Sequence, residues 1–337
     1  MLSRVADSIY WMSCYVERAE NVARFIDVNL NLSLDLGPEM DRQWDPLIYT
    51  TGDQELFYQH YGQATQQNVI QFLAFDDENP NSIISCLRAA RENARTIREM
   101  ISSQMWEELN KFFLLVRNAK TDQRVLESPF EFFSQIKLYG YLLEGVTFGT
   151  MSHGEAWHFG RMGRLVERAD KTSRILDVKY YLLLPNASDV GTPVDMYQWA
   201  ALLKSASALE MYRKKYGRLV PKNVVEFLVL DRDFPRAMHF CLLRAEQSLL
   251  AITSGTPGTF RTKAEQRLGR LRSELDYAHI DEVIAGGLHE FIDSFQTKLN
   301  GVCEAIFETF FAQAPLGEQR TAPAVIEPSL IAQPANA

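Results

Sequence analysis

Apolar residues in the first thirty positions fall at Tyr15, Val16, Ala19, Val22, Ala23 and Ile26. This is the i, i+3, i+4, i+7 spacing that turns one side of an α-helix toward a core. The same period returns over 83–101, 130–148, 157–184, 224–230, 237–252 and 288–311, with breaks at Pro80, Pro185, Pro221 and Pro235. Ser3 stands where a cap of the first helix is expected. Strand-like runs are short and ambiguous, as over 47–51. The expected class is all-α, a helical bundle.

An internal comparison divides the chain. Val16-Glu17-Arg18-Ala19-Glu20 recurs as Val166-Glu167-Arg168-Ala169-Asp170, and the offset of 150 continues through Arg24/Arg174 and Asp27/Asp177. Asn68-Val69-Ile70-Gln71-Phe72-Leu73 recurs as Asn223-Val224-Val225-Glu226-Phe227-Leu228, followed by Asp76/Asp231, Pro80/Pro235 and Cys86/Cys241 at an offset of 155. Two matches in one order at nearly equal offsets point to a duplicated unit. The expected organisation is a first helical repeat over 1–150 and a second over 151–313, their first helices central and their cores shared. A tail over 314–337 carries Pro315, Pro323, Pro328 and Pro334 among small and polar residues, and is expected to be disordered.

Charge and composition narrow the function classes. With 35 basic against 43 acidic residues the net charge is −8, which argues against a non-specific nucleic-acid binder or a polybasic membrane adhesin. No stretch of eighteen apolar residues occurs and the N-terminus has no apolar signal segment, so the cytoplasm is the expected location, without a membrane partner. Cys14, Cys86, Cys241 and Cys303 are too dispersed for a C-x-x-C motif and read as reduced core residues. His153 and His158 are five apart, which is not a metal-binding spacing on a helix. The chain has neither a P-loop nor a G-x-G-x-x-G after a strand, so no nucleotide or metal cofactor is expected in this chain.

The chemistry therefore concentrates in the repeated charged motif. On a helical wheel Glu17, Asn21 and Arg24 share one face with Glu20 beside them, and Arg18 sits at the edge of the apolar face. The second copy repeats this with Glu167, Lys171 and Arg174, and with Arg168 at the boundary. On a solvated helix such i, i+4 pairs contribute little. If the two first helices meet about a pseudo-two-fold axis, Glu17 faces Arg168 and Glu167 faces Arg18. Two readings stay open at this point: a structural network between the repeats, and a polar ligand or catalytic pocket. Arg88, Arg91, Arg95 and Arg98, interleaved with Glu92 and Glu99, form either a salt-bridged solvated face or an anion-binding surface. Arg91, Glu92 and Arg95 are carried from it as further candidates. Trp106 beside Glu107 reads as core packing.

Several segments together resemble the bacterial Alpha-E family, named for an α-helical domain with a characteristic Glu-Arg motif. They are Met1-Leu2-Ser3-Arg4-Val5-Ala6, Tyr10-Trp11-Met12, Glu17-Arg18-Ala19-Glu20-Asn21, Asn79-Pro80-Asn81-Ser82-Ile83, Ala90-Arg91-Glu92-Asn93-Ala94-Arg95, Met105-Trp106-Glu107 with Asn110, and the run from Gly163 to Arg174. Where the family has Gly-Arg before the first Glu-Arg motif, as at Gly163-Arg164, this chain has Ser13-Cys14. The resemblance implies a setting beside a circularly permuted ATP-grasp protein and a transglutaminase-like protein, with ATP used only through such a partner. It thus implies an accessory subunit of a peptide-modifying or amide-bond-forming system, its Glu-Arg helices positioning an amino-acid or peptide substrate. The alternatives are an independent enzyme with a buried general-base glutamate, Glu17 or Glu167, and a non-catalytic scaffold in which the motifs act as a clamp.

Overall fold

A computed structural model describes residues 1–36, 44–122, 125, 128–182 and 192–312. The expected tail over 314–337, and the break at Pro185, lie outside the described residues. All regular elements among the described residues are helical. The first run comprises α1 (Ser3–Leu36), α2 (Asp45–Thr51), α3 (Gln54–His60), α4 (Gln66–Ile70), α5 (Ile83–Thr96), α6 (Ser103–Ala119) and α7 (Pro129–Thr150). The second comprises α8 (Glu155–Leu182), α9 (Pro193–Ser205), α10 (Leu209–Tyr216), α11 (Pro221–Leu230), α12 (Met238–Thr253), α13 (Lys263–Tyr277), α14 (Ile280–Ala285) and α15 (Leu288–Ile306).

Local chemistry sets many of these boundaries. Thr65, Ser82, Ser102 and Thr192 accept the backbone N–H three residues on and so cap α4, α5, α6 and α9, while Thr262 and Glu265 form a reciprocal capping box on α13. Pro129, Pro193 and Pro221 occupy the first helical turn, where a missing N–H costs nothing. Two expectations are corrected. The ambiguous run 47–51 lies in helix α2, whose end is set by Gly52 at φ +81°. Ser3 is the first residue of α1 rather than its cap, since the Ala6 N–H donates to the Leu2 carbonyl.

The two longest helices, α1 and α8, pack against each other at the centre. Their approach depends on small residues: a Cβ on Gly163 would lie 2.5 Å from the Tyr10 carbonyl oxygen, and one on Gly160 would lie 2.9 Å from Ser13 Oγ. Around this pair, α1 packs on α5 and α7, and α8 on α12 and α15. The short helices cross over, α2 packing on α8 and α9 on α1. Buried apolar side chains form one cluster that extends from Ala6 to Phe311.

Candidate functional site

The α1–α8 contact brings the two Glu-Arg motifs face to face. Arg18 donates from Nε to Glu167 Oε1 at 2.7 Å and from Nη2 to Glu167 Oε2 at 2.9 Å. Arg168 donates from Nε to Glu17 Oε1 at 2.9 Å and from Nη2 to Glu17 Oε2 at 2.8 Å. Both are fork-to-fork pairs, the strongest geometry available to guanidinium and carboxylate. The polar face of α1 is not solvated: Glu17 is 1% exposed, and Glu20, Asn21 and Arg24 are each 2% exposed. Arg18, placed by the wheel at the edge of the apolar face, is the more accessible member, with a side chain 19% exposed. The reason is that the polar faces of α1 and α8 meet each other inside the molecule, where each supplies the other's counter-charge.

Each fork sits in a wider network. Around Glu17, Asn21 Nδ2 donates to Glu17 Oε1 at 2.8 Å. Arg236 donates to Glu17 Oε1 at 3.0 Å, Asn21 Oδ1 at 3.2 Å and Glu20 Oε1 at 2.7 Å. Arg24 donates to Glu20 Oε1, to Tyr141 Oη at 2.7 Å and to Ser207 Oγ. Arg168 also reaches Glu144 Oε2 at 3.1 Å. Around Glu167, Arg18 Nη1 donates to Asn81 Oδ1 at 2.7 Å, and Asn81 Nδ2 donates to Asp53 Oδ1 at 2.8 Å. Lys171 Nζ lies 3.4 Å from Glu167 Oε1 and 3.0 Å from Asp170 Oδ2, which also accepts from Arg174 Nε at 2.8 Å.

These contacts fix ionisation. Burial would raise the Glu17 carboxyl, but Arg168 and Arg236 outweigh it and hold the group well below the usual carboxylate range. Glu167 is lowered against burial by Lys171 and Arg18, and Asp170 against burial by Lys171 and Arg174. Burial tends to lower Arg168, yet Glu17 drives it upward. The cysteines are free thiols, and burial pushes Cys86, Cys241 and Cys303 up to about 12, which leaves them unreactive.

The other candidates lie elsewhere. Arg91 donates to Asn110 Oδ1 at 2.8 Å and Glu92 Oε1 at 3.0 Å, with its guanidinium over the rings of Trp106 and Phe113. Arg95 is exposed and pairs with Glu92. This salt-bridged surface does not join the central cluster. His153 stacks on Trp157 with ring centroids 4.2 Å apart. Among the described residues no group of three His, Cys, Asp or Glu side chains is placed to hold a metal ion, and no helix is long and apolar enough to cross a membrane.

Arg236 and Glu144 were not picked out from the sequence. Arg236 had a signal, because the offset of 155 that aligns Pro80 with Pro235 also aligns Asn81 with Arg236. Each of these two residues completes the charged cluster on its side. Glu144 lies on α7, outside both matched segments, and nothing in the sequence tied it to α8.

A cleft opens beside the Glu17 cluster, between α1, α6, α7 and α8. Its room is about 50 Å³, and its walls include Glu17, Glu20, Glu144, Trp157, Arg161 and Arg164. Gly140 lines it as well; a Cβ there would collide with the Glu20 carboxylate. The Glu167 fork is not part of this cleft.

The architecture is thus an all-α protein organised around reciprocal, buried Glu-Arg pairs on two central helices. The chain belongs to the Alpha-E family, described as a predicted α-helical domain with a conserved ER motif, which matches residues 1–311. Similar curated proteins include one from Mycobacterium bovis, 22% identical over 336 residues that cover 92% of this chain and 37% of that protein. One from Mycobacterium tuberculosis strain H37Rv is 21% identical with the same coverage. Both carry the name "uncharacterized protein". The chain therefore spans little more than a third of the length of the curated relatives it matches. No solved structure matches it significantly.

Proposed function

We propose that this chain is an accessory subunit of an amide-bond-forming or peptide-modifying system, in which a circularly permuted ATP-grasp protein activates a carboxylate and this chain presents an amino-acid or peptide substrate. Family membership supports the setting. The observation that carries the reading is the closure of both forks, with an open cleft beside the Glu17 cluster. Glu17 accepts four hydrogen bonds and Glu167 the two of the Arg18 fork, and both are held ionised. A general base works best with a pKa near the operating pH, and both carboxyls are instead held below the usual carboxylate range. The Glu-Arg motif thus acts as the clamp that fixes α1 against α8, and substrate positioning falls to the neighbouring cleft.

A scaffold with no substrate of its own is the second reading, favoured by the same closure of the forks. Co-purification with a neighbouring ATP-grasp protein, followed by ATP-consumption assays over a panel of amino acids and short peptides, separates the two. The expected result is a stable complex whose substrate-dependent ATP use rises at least tenfold with this chain present. A stable complex with unchanged ATP use would favour the scaffold. No complex, with ATP use indifferent to this chain, would overturn the accessory role.

A further inference from the structure

The charges around the cleft do not balance. The connected network holds three carboxylates, Glu17, Glu20 and Glu144, and each is already shared between two arginines. Against them stand four guanidinium groups of the network, from Arg24, Arg164, Arg168 and Arg236, and beside it that of Arg161, which no ion pair joins to these carboxylates. On the opposite side of the α1–α8 contact the count is even, with Glu167, Asp170 and Asp53 against Arg18, Lys171 and Arg174. The surplus lies with Arg161 and Arg164, the two guanidinium groups that line the cleft wall.

Both are poorly partnered. Arg164 has one ion pair, to Glu144 at 3.2 Å, and its buried Nε has no hydrogen-bond partner. Arg161 reaches only Ser248 Oγ, at 3.4 Å, and otherwise stacks on Trp157. Burial lowers the pKa of both; Arg244 and Arg164 lower Arg161 further, while at Arg164 the opposing pull of Glu144 exceeds the push of Arg168 without cancelling the effect of burial. A buried guanidinium donor without an acceptor, as Arg164 Nε is, is costly; Arg161 is half-buried and has no carboxylate partner. An anion seated between them would supply the missing charge and the missing acceptors together.

Spacing and lining define the ligand. Trp157, Gly160, Arg161 and Arg164 lie at i, i+3, i+4 and i+7 on α8 and share one face. Across from them stand Met12, Val16, Met105, Leu109 and Leu143. One water needs roughly 10–15 Å³ of such room, so about 50 Å³ takes a carboxylate and its first carbon, with the remainder of the ligand in the open mouth. We infer that Arg161 and Arg164 form a carboxylate-binding site for the C-terminal carboxylate of an apolar amino acid or peptide. The inference rests on the proposed function for the amino-acid or peptide nature of the ligand. Cys14, which stands where the second motif has Arg164, leaves the first motif without the matching cation.

Titration calorimetry on the full chain alone tests this, with N-acetyl-leucine, its uncharged amide and inorganic phosphate as probes. The expected result is saturable one-site binding of the acid, at least tenfold weaker binding of the amide, and no displacement by equimolar phosphate. Arg161→Gln and Arg164→Gln should each weaken the acid at least tenfold, with Arg161→Lys intermediate because charge survives and the fork does not. If Arg164→Gln fails to fold, Arg161→Gln decides, since Arg161 has no ion pair to lose. Acid binding unchanged in Arg161→Gln, equal binding of acid and amide, or no binding at millimolar concentration would overturn the site. Tighter, arginine-dependent binding of phosphate would overturn its assignment to carboxylates. Because no ATP-grasp protein is present, failure here leaves complex formation untouched, and failure of the complex leaves this result standing.

Discussion

At the scale of single residues, Glu17 is held by three partners in the molecule's interior. It accepts from Arg168 through both oxygens, and from Arg236 and Asn21. Removing its charge leaves Arg168 and Arg236 buried side by side. Glu17→Gln is therefore expected to lower unfolding free energy by about 3–5 kcal/mol, the range for breaking one partner of a buried pair. Urea denaturation checks it, and a loss under about 1 kcal/mol would show that the glutamine amide replaces the fork. The same group predicts the acid response. A carboxyl whose folded pKa is depressed contributes stability above its unfolded pKa, about 4.3, and loses it as pH falls toward the folded value. Glu17, Glu167 and Asp170 all shift this way. The urea midpoint should thus hold steady above about pH 5 and decline steadily below it, with a shallower decline in Glu17→Gln.

At the scale of elements, the central contact depends on glycine where helices touch and tolerates other residues where they do not. Gly163 faces the Tyr10 backbone, which cannot move aside, whereas nothing lies within 4 Å of a Cβ on Gly145 of α7. Gly163→Ala is expected to cost about 1–3 kcal/mol through overpacking. Gly145→Ala should add about 0.5–1 kcal/mol through helix propensity. Thermal or urea unfolding of the pair reads both, and equal effects of one sign would show that α1 and α8 do not pack as described. Helix periods and proline breaks were legible along the chain because they are local. The run 47–51 was ambiguous because seven residues are too few to display a 3.6-residue period, and tertiary contact to α8 decides its form.

At the scale of the molecule, the helices of 1–150 and those of 151–312 interlock. The two forks cross between α1 and α8, α2 lies on α8, and α9 lies on α1. Buried apolar residues of both runs join in one cluster. Unfolding should accordingly be one cooperative event for both. Hydrogen exchange along a urea series checks this by comparing α5 with α12. Coincident transitions are expected, and two separated ones would show that 1–150 and 151–313 are independent domains.

The sequence by itself determined the helical class, the approximate helix positions and the recurrence of Glu-Arg at matching phase, since all three follow from short-range periodicity and direct comparison of segments. It also contained, unread, the Asn81/Arg236 correspondence. Tertiary structure alone decided that the charged face of α1 is interior, because burial of a charge depends on whether a counter-charge arrives from elsewhere in the chain. Glu17 and Arg168 stand 151 residues apart, and Glu144 and Arg236 join them from two other elements. The cleft was settled at the same level: the packing of α1, α6, α7 and α8 puts Arg161 and Arg164 on its wall, while Glu17 and Glu20 pair with other arginines and Glu144 is shared with Arg168.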